Sequence, residues 1–233
     1  MLTFAKRSIV MFVIGLFFGT VFSSILVAAP TNRKAPTKVS VFAHPATKSS
    51  SNKTLKEVAR QLRSIQVLRA SFEQRKTIKV LSRPLISKGE YIFAREVGVY
   101  WKTVTPFPAA ILLTPKGLIE KDPTTGKVVA STNSKTLMKA MSQMFVAILA
   151  VDIEKLSTMF ELYLQGDAKA WTLGLKPKNN GMKRFLRHIV LMGGKTVQKV
   201  QIAEGNGDQT LYIMSNVKTQ PAKLSSTEQK LFQ

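Results

Sequence analysis

The 233-residue chain contains no cysteine, and this absence excludes several classes of protein. Without cysteine there is no disulfide scaffold, no thiol nucleophile, no thiolate zinc or iron–sulfur site and no lipid-modified cysteine. Histidine is nearly as scarce, since the chain has two. The composition therefore argues against a redox or metal enzyme, and we expect neither a metal ion nor another cofactor.

Acidic residues are also few, because 13 Asp and Glu stand against 35 Lys and Arg and give a formal net charge of +22. Such a charge is typical of proteins with anionic partners, nucleic acid included. The chain has only two Trp and four Tyr, however, so the aromatic platform that stacks bases is missing. An anionic membrane surface, an acidic protein face and a solvated basic surface without a partner all remain open.

Apolar residues are numerous enough for a packed core. They make up 45% of the chain, which is too high for a wholly disordered protein. A chain of this length is typical of one domain, or of one domain that follows a targeting segment. We therefore expect a single folded domain.

Residues 1–29 have the pattern of an export segment. Lys6 and Arg7 precede a stretch without charge, residues 8–29, and a basic start before an apolar stretch directs a chain to the export pathway. The small residues Val27-Ala28-Ala29 suit signal peptidase, whereas 22 uncharged residues are also enough to cross a bilayer as an uncleaved anchor. Under both interpretations the rest of the chain lies outside the cytoplasm. We therefore predict the periplasm, where no nucleic acid partner is expected.

Residues 30–52 differ in composition from the remainder of the chain, since they are rich in Pro, Ser, Thr and Lys. Such a segment cannot bury enough apolar surface to order itself, so we expect a flexible basic tether. The predicted folded domain is residues 53–233.

Hydrophobic periodicity predicts a domain of mainly β-strands with inserted helices. Leu55, Val58 and Leu62 recur at helical spacing and predict a helix over residues 55–65. After it the apolar period becomes two, and short runs are separated by turn signals such as Asn179-Asn180-Gly181. Many short strands without room for a helix between neighbours indicate an antiparallel meander or barrel rather than a parallel α/β sheet.

A second predicted helix interrupts the strands over residues 135–148. One face of a curved antiparallel sheet must be covered, or it exposes a large apolar patch, and the two predicted helices are the natural cover. The second helix is rich in methionine, a flexible side chain that packs against several shapes. Its apolar stripe is therefore interpreted either as ordinary core or as an adaptable binding face, and it consists of Leu137, Met141, Met144, Phe145 and Ile148.

Several short motifs occur in a fixed order along the predicted domain. Ser71-Phe72-Glu73-Gln74 precedes a strand that runs from Gly89 to Arg95, and Trp101 and Thr105-Pro106 come after it. Further on, Trp171-Thr172-Leu173-Gly174-Leu175-Lys176-Pro177 alternates in the manner of a strand. Together these motifs resemble those of the LolA family of outer-membrane lipoprotein carriers.

The resemblance implies an unclosed, mostly antiparallel β half-barrel whose concave side is covered by a helical lid. In that family the hollow holds the acyl chains of a lipoprotein or of another lipid. The resemblance also implies a monomeric carrier that crosses the periplasm, with an inner-membrane releasing complex and an outer-membrane receptor as its partners.

Arg95 is the most informative position within the resemblance. Tyr91, Phe93 and Arg95 share parity along one strand, so their side chains point to one face. Arginine carries five donors, and backbone carbonyls of a covering helix or loop can accept them. The resemblance implies that this arginine ties the lid down and lets it open when cargo enters. The alternative is that the strand ends after Phe93 and that Arg95 lies in a solvated turn beside Glu96.

The predicted lipid-binding and lid residues combine this strand face with the stripe of the second helix. They are Arg95, Tyr91, Phe93, Trp101, Leu137, Met141, Met144, Phe145 and Ile148.

A catalytic constellation is not identified. A hydrolase triad needs a histidine beside a nucleophile, but His44 lies in the predicted tether and His188 in a predicted strand. Glu120 and Asp122 flank a turn, where we expect both to be solvated, and Asp152 is expected to begin a helix. The chain is therefore predicted not to be an enzyme.

Two functions of different classes are compatible with these patterns. The first is a carrier that sequesters acyl chains between the half-barrel and a mobile lid. The second is an anchored, exported structural or interaction module whose basic surface docks on anionic lipid or on an acidic partner. Docking through charge weakens strongly as salt rises, whereas burial of an acyl chain hardly changes.

Overall fold

Eleven antiparallel strands form one sheet in the computed structural model, which describes residues 41–46, 49–131 and 136–233. For the helical residues 49–51 and 136–138 only the backbone is described. The strands are β1 (Val67–Thr77), β2 (Leu85–Ala94), β3 (Gly98–Thr105), β4 (Ala109–Thr114), β5 (Gly117–Lys121), β6 (Val128–Ser131), β7 (Phe160–Gly166), β8 (Trp171–Pro177), β9 (Leu186–Gly193), β10 (Val197–Glu204) and β11 (Gln209–Lys218).

The strand order is β6-β5-β4-β3-β2-β1-β11-β10-β9-β8-β7, so β6 and β7 form the two edges and the sheet does not close. Neighbouring strands are consecutive in the chain except β1 and β11, whose pairing joins the two halves of the sheet. This arrangement confirms the predicted open antiparallel half-barrel with inserted helices.

Five α-helices accompany the sheet within the described ranges, and Val41–Ala43 form a short 3-10 helix. The α-helices are α1 (Ser49–Arg63), α2 (Thr136–Ala150), α3 (Ile153–Met159), α4 (Asn180–Lys183) and α5 (Ser226–Leu231). The two predicted helices correspond to α1 and α2. Asp152 caps α3 as predicted, since its side chain accepts a hydrogen bond from the Lys155 backbone N–H.

The two faces of the sheet differ because side chains alternate along each strand. The face that carries Phe72, Tyr91 and Trp101 is called the concave face, and α1, α2 and α3 pack against it in one apolar core. Helix α1 contributes Leu55, Val58 and Leu62 to this core, at the helical spacing read from the sequence. Helix α2 contributes Met144, Ala147 and Ile148.

Residues 41–46 pack on the edge of the sheet, so the predicted flexible tether is wrong for this part. The backbone of Leu164 donates to the His44 carbonyl and that of Ala46 donates to the Leu162 carbonyl, both at 2.9 Å. The segment thereby pairs with edge strand β7, whose backbone groups lack another strand partner on that side.

The side chains of this segment explain why it is ordered. Val41 is fully buried, and the Phe42 ring lies 5.4 Å from that of Tyr163 and 4.9 Å from that of His188. A side chain at Gly174 would approach both Val41 and Phe42 to 2.8 Å, so glycine leaves the space in which they pack. The average composition of residues 30–52 hides this short apolar run.

The start of the predicted folded domain also shifts, because α1 begins at Ser49 rather than after residue 52. Residues 1–40 lie outside the described residues, so the export segment 1–29 and the first part of the tether stay predictions. Across the described ranges, none of the helices combines the length and apolar character needed to cross a bilayer.

Glu120 corrects a second expectation, because it is buried rather than solvated. It lies on β5 with 6% of its surface exposed, and burial raises the pKa of its carboxyl group. Glu120 lies two residues after Leu118 on the same strand, so both side chains point to the same face. Leu118 packs on the core, and Glu120 is therefore turned inward as well. Asp122 is half-buried and accepts hydrogen bonds from the backbone of Thr124 and Thr125, which shapes the turn.

The opposite, convex face is covered in part by the C-terminal segment. Leu231 and Phe232 pack against Tyr100 and Leu112 of the sheet. Arg69 of β1 forms an ion pair with Glu228 of α5, which holds the helix in place.

Candidate functional site

An aromatic cluster occupies the centre of the concave face. The Trp101 ring stacks on Phe72 at 4.0 Å and on Tyr91 at 5.3 Å, and it meets Tyr212 edge-on at 5.6 Å between ring centroids. These residues come from the neighbouring strands β3, β1, β2 and β11, so the register of the sheet brings them together. The cluster forms an apolar floor beneath the helices.

Gly89 leaves space for the Phe72 ring in the aromatic floor. A Cβ atom at this position would lie 2.0 Å from the Lys102 carbonyl oxygen and 2.7 Å from the Phe72 ring. Only glycine therefore lets the Phe72 ring lie against β2. Gly89 stands inside β2, four residues after the strand begins at Leu85.

Helix α2 lies directly over the aromatic floor. The Phe145 ring meets Trp101 edge-on at 5.5 Å. Met144 and Ile148 on the same helix are buried in the core that includes Trp101. Any molecule that reaches the aromatic floor from this side must displace α2.

Ser142 and Gln143 fasten α2 to the turn between β4 and β5. The buried Ser142 hydroxyl lies 2.8 Å from the Thr114 carbonyl oxygen and 3.1 Å from that of Gly117. The Gln143 amide donates to the Pro115 carbonyl at 2.9 Å. These contacts involve one hairpin turn, so the attachment of α2 is local.

Arg95 fastens α1 to the end of β2. Its Nε atom donates to the Ile65 carbonyl at 2.9 Å, and Nη2 donates to the Leu62 carbonyl at 2.7 Å. The last carbonyls of a helix have no partner within the helix. Leu62 lies in the last turn of α1 and Ile65 in the connection that follows, so the guanidinium bonds the end of α1 and the segment after it. Strand β2 ends at Ala94, yet the Arg95 side chain bonds to the helix instead of pointing into water.

The charge environment of Arg95 is mixed. Burial lowers the pKa of its guanidinium, whereas the nearby Asp152 carboxylate raises it. Arginine stays protonated in proteins. The half-buried Arg95 cation is therefore stabilised by its hydrogen bonds to two carbonyl oxygens. The Phe93 ring, with its centroid 5.5 Å from Arg95 Cζ, adds a cation–π contact.

Arg95 stands between an open cleft and a closed interior. The cleft has a volume of about 610 Å³ and lies between α2, α3 and the turn after β2. Behind Arg95, a crevice of only about 10 Å³ reaches Tyr91 and Leu68. The crevice has about the size of one water molecule, so little space remains directly behind Arg95 among the described residues.

Two further contacts hold α1 near this cleft. Gln61 donates to the Gly194 carbonyl at 2.6 Å, in the turn before β10. Arg63 forms an ion pair with Glu154 of α3 at 2.5 Å, but both side chains are largely exposed, so the pair contributes little.

The structure brings most of the predicted site residues together. Phe145 packs partly buried against the concave core, Met141 is half-buried on the same helix, and the side chain of Leu137 lies outside the described residues. The predicted residues that are buried in that core are Tyr91, Phe93, Trp101, Met144 and Ile148.

Sequence reasoning missed three members of the site. Phe72 lies in one of the motifs that carry the family resemblance. Its parity with Leu68 and Ala70 on the same strand was the signal that could have placed it on the concave face. Tyr212 and Ser142 carry no local signal, because their roles depend on strands and turns that are distant in sequence.

The described residues contain no group of three or more His, Asp or Glu side chains that could hold a metal ion. The His188 ring packs on Phe42 instead.

The solved structures that this chain matches share little of its sequence. A LolA superfamily protein from Nitrosomonas europaea is 9% identical, with 75% of this chain and 96% of that chain covered and a TM-score of 0.43. A chain of the MucA/MucB complex from Pseudomonas aeruginosa is 12% identical, with 77% of this chain and 60% of that chain covered and a TM-score of 0.41. The match therefore spans well under the full length of that chain. A putative outer membrane lipoprotein-sorting protein domain from Vibrio parahaemolyticus is 11% identical, with 78% and 99% covered and a TM-score of 0.37.

Comparison at the level of sequence families is more informative. A search of curated proteins finds no match. The family model described as outer membrane lipoprotein carrier protein LolA matches residues 63–232, which is well over half of the chain and includes the whole sheet. This match shows that the chain belongs to the LolA family.

Proposed function

We propose that this protein is a periplasmic carrier that binds the acyl chains of a lipoprotein, or of another lipid, between the sheet and its covering helices. The observation that supports this most is the position of Arg95, which bonds α1 at the boundary between the open cleft and the aromatic concave face. The proposal is a binding function without a catalytic step, a metal ion or a cofactor.

Cargo reaches the aromatic floor when α1 and α2 move, because both helices pack directly on the concave face. An acyl chain would replace the apolar contacts that the helices give up. Each buried methylene contributes about 0.8 kcal/mol, so a long chain supplies on the order of 10 kcal/mol. Part of this gain replaces the apolar packing that the helices lose. The remainder offsets the few partly exposed hydrogen bonds that break, which are worth about 1–3 kcal/mol each.

Release follows from the same equilibrium in reverse. Closure restores the Arg95 hydrogen bonds and the packing of Phe145 on Trp101, and both favour an empty concave face. A carrier of this kind needs a partner that loads it and a receptor that accepts the cargo. We propose an inner-membrane releasing complex and an outer-membrane receptor for these roles, with the carrier acting as a monomer.

The test uses the full chain, purified gently after export, and a synthetic triacylated lipopeptide as the probe. Native mass spectrometry with lipid extraction would detect acyl-containing cargo or added lipopeptide on the protein. The Arg95→Leu variant removes two bonds that exist only when the lid is closed. We expect it to hold lipopeptide about tenfold more tightly, since 1.4 kcal/mol corresponds to a factor of ten.

Arg75→Leu is the matched control for this experiment. Arg75 is exposed and pairs with Glu73 on the same strand, so its loss removes an arginine without touching the lid. Equal affinities of the two variants would contradict the role proposed for Arg95. A protein that stays empty with lipopeptide, or loses it in high salt, would favour the module that docks through its basic surface.

A further inference from the structure

Exposed apolar side chains concentrate at the end of the half-barrel that lies opposite Arg95. The register pairs Lys76 with Leu85, Lys88 with Thr105 and Glu204 with Leu186. The β1–β2 turn, the β3–β4 turn and the connection before β9 therefore all lie at this end. Each carries large apolar residues that are exposed, and they are Val80, Leu81, Leu85, Ile86, Val104, Phe107 and Phe185.

The degree of exposure is unusual for side chains of this kind. Val80 is 87% exposed, and Phe107 and Phe185 are each 63% exposed. Scattered single exposures are normal, but these residues occupy three projections at one end of the sheet. Such a concentration marks an interaction surface.

Two of these segments are strongly basic, and none of the three is acidic. Residues 78–86, 104–108 and 178–187 contain no Asp or Glu. Their basic residues are all exposed, and they are Lys79, Arg83, Lys178, Lys183, Arg184 and Arg187. We call these basic residues, together with the exposed apolar residues of the three segments, the tip surface.

Backbone hydrogen bonds hold the projections in place, so the apolar side chains are not exposed by fraying. The Lys79 backbone N–H donates to the Asp208 carboxylate at 2.9 Å, which ties the β1–β2 turn to the turn before β11. The Phe185 backbone N–H donates to the Met182 carbonyl at 3.0 Å, and the Phe185 carbonyl accepts from Gly205 at 2.8 Å. Asp208 is itself buried, so it does not reduce the positive charge presented outward.

The combination of separate apolar tips and surrounding cations points to one kind of partner. We propose that the tip surface docks on an anionic lipid bilayer, with Val80, Leu81 and Phe185 entering the interfacial region. A bilayer is a broad plane that several projections can contact at once, and its headgroup region accepts apolar side chains flanked by Lys and Arg. This contact goes beyond cargo binding, because Val80, Leu81 and Phe185 lie at the end of the sheet opposite Arg95.

Because the chain has no cysteine, a single introduced cysteine can carry a fluorophore that reports membrane contact at that position of the full chain. Leu81→Cys places an environment-sensitive fluorophore on the tip surface, and Phe185→Cys places one on a second projection. Val97→Cys is the matched control, because Val97 lies at the Arg95 end and is 42% exposed, against 46% for Leu81. The readout is local, so any insertion of residues 8–29 into the vesicle does not produce the signal by itself.

Vesicles of phosphatidylcholine, with or without phosphatidylglycerol, are added in the absence of lipopeptide. We expect a several-fold rise in fluorescence and a blue shift at positions 81 and 185 with the anionic vesicles, and little change at position 97. Adding Lys79→Glu and Arg83→Glu to the chain labelled at position 81 should abolish most of the rise, and so should high salt.

Three results would overturn the proposal. They are an equal response at positions 81 and 97, a response that does not depend on phosphatidylglycerol, and labels at 81 and 185 that stay in water with both vesicles. The last result would leave an acidic protein as the occupant of the tip surface. Because no cargo is present, none of these outcomes depends on whether the protein carries lipid.

Discussion

The two ends of the half-barrel are held together in different ways. At the Arg95 end, side-chain donors of the sheet and of α1 bond to backbone carbonyls across the boundary between helix and sheet. At the opposite end, the Lys76 ammonium pairs with the Glu204 carboxylate at 3.0 Å, and both are almost completely buried. That ion pair links strands β1 and β10 across β11.

This difference indicates which parts of the molecule can separate. Bonds at the Arg95 end join two layers and lie beside an open cleft, so water can replace them when the layers part. The ion pair at the other end lies within the sheet and has no such replacement, since a buried charge that loses its partner is costly. We therefore expect the helices to move while the sheet stays intact.

The largest effect is predicted for Lys76→Met. The substitution removes the ammonium group next to the buried Glu204 carboxylate, and breaking a buried pair in this way costs about 3–5 kcal/mol. Urea unfolding should show this loss. Lys88→Met is the control, because Lys88 forms an exposed pair with Glu73 at 3.2 Å and should cost less than about 1 kcal/mol. Similar losses in the two variants would refute the distinction between the ends.

Arg95→Leu is predicted to have an intermediate and local effect. The carbonyls of Leu62, at the end of α1, and of Ile65, just after it, lose a charged donor, which corresponds to about 1–3 kcal/mol. Because α1 contains Arg60 and Arg63, limited digestion with trypsin reports how often the helix leaves the sheet. Cleavage in α1 should accelerate about tenfold, as 1.4 kcal/mol implies. An unchanged rate relative to Arg75→Leu would show that Arg95 does not restrain the helix.

Ser142→Ala should destabilise the attachment of α2 by about 1–2 kcal/mol. The reason is that a buried hydroxyl lies between the carbonyls of Thr114 and Gly117, which would then lack this contact. Ser157→Ala is the control, since this exposed hydroxyl bonds only its own helix at the Glu154 carbonyl. Urea unfolding measures both, and a loss for Ser142→Ala no greater than that of the control would contradict the role of the hydroxyl.

The smallest effect is predicted for acidification of the convex face. Hydrogen bonds from Arg69, helped by the Ser225 backbone N–H, lower the pKa of Glu228 to about 2. A depressed carboxyl pKa stabilises the folded state above the unfolded value of about 4.3, and this stability is lost as the pH falls toward 2.

Helix α5 should therefore separate from the sheet as the pH falls from about 4 toward 2. NMR signals of Leu231 and Phe232 report the separation, and the Trp101 indole reports the core. Glu228→Gln should remove the pH dependence at Leu231. A simultaneous loss of the Trp101 signal at the same pH would show that the two faces are not independent.

Much of this architecture follows from local patterns in the sequence. The helical stripes of α1 and α2 and the period-two strands predicted a sheet with a helical cover, because burial on one face dictates those periods. The shared parity of Tyr91 and Phe93 likewise predicted their common face. These inferences need only neighbouring residues.

Other features depend on contacts between distant parts of the chain. Composition suggested that residues 41–46 belong to a tether, but the edge of β7 and the space above Gly174 order them. The turn after Glu120 suggested a solvated carboxylate, whereas its strand turns that side chain inward under the core. The acceptors of Arg95 lie about thirty residues away, so no local pattern identifies them.

Distance measurement between spin labels tests the central claim most directly. One pair, Lys56→Cys with Lys139→Cys, joins exposed positions on α1 and α2, and the other, Arg75→Cys with Lys199→Cys, joins exposed positions on β1 and β10. When the triacylated lipopeptide binds, the first distance should increase or broaden by several ångströms while the second stays constant. A constant first distance in the loaded protein, or an equal change in the second, would contradict a carrier in which the helices open over an intact sheet.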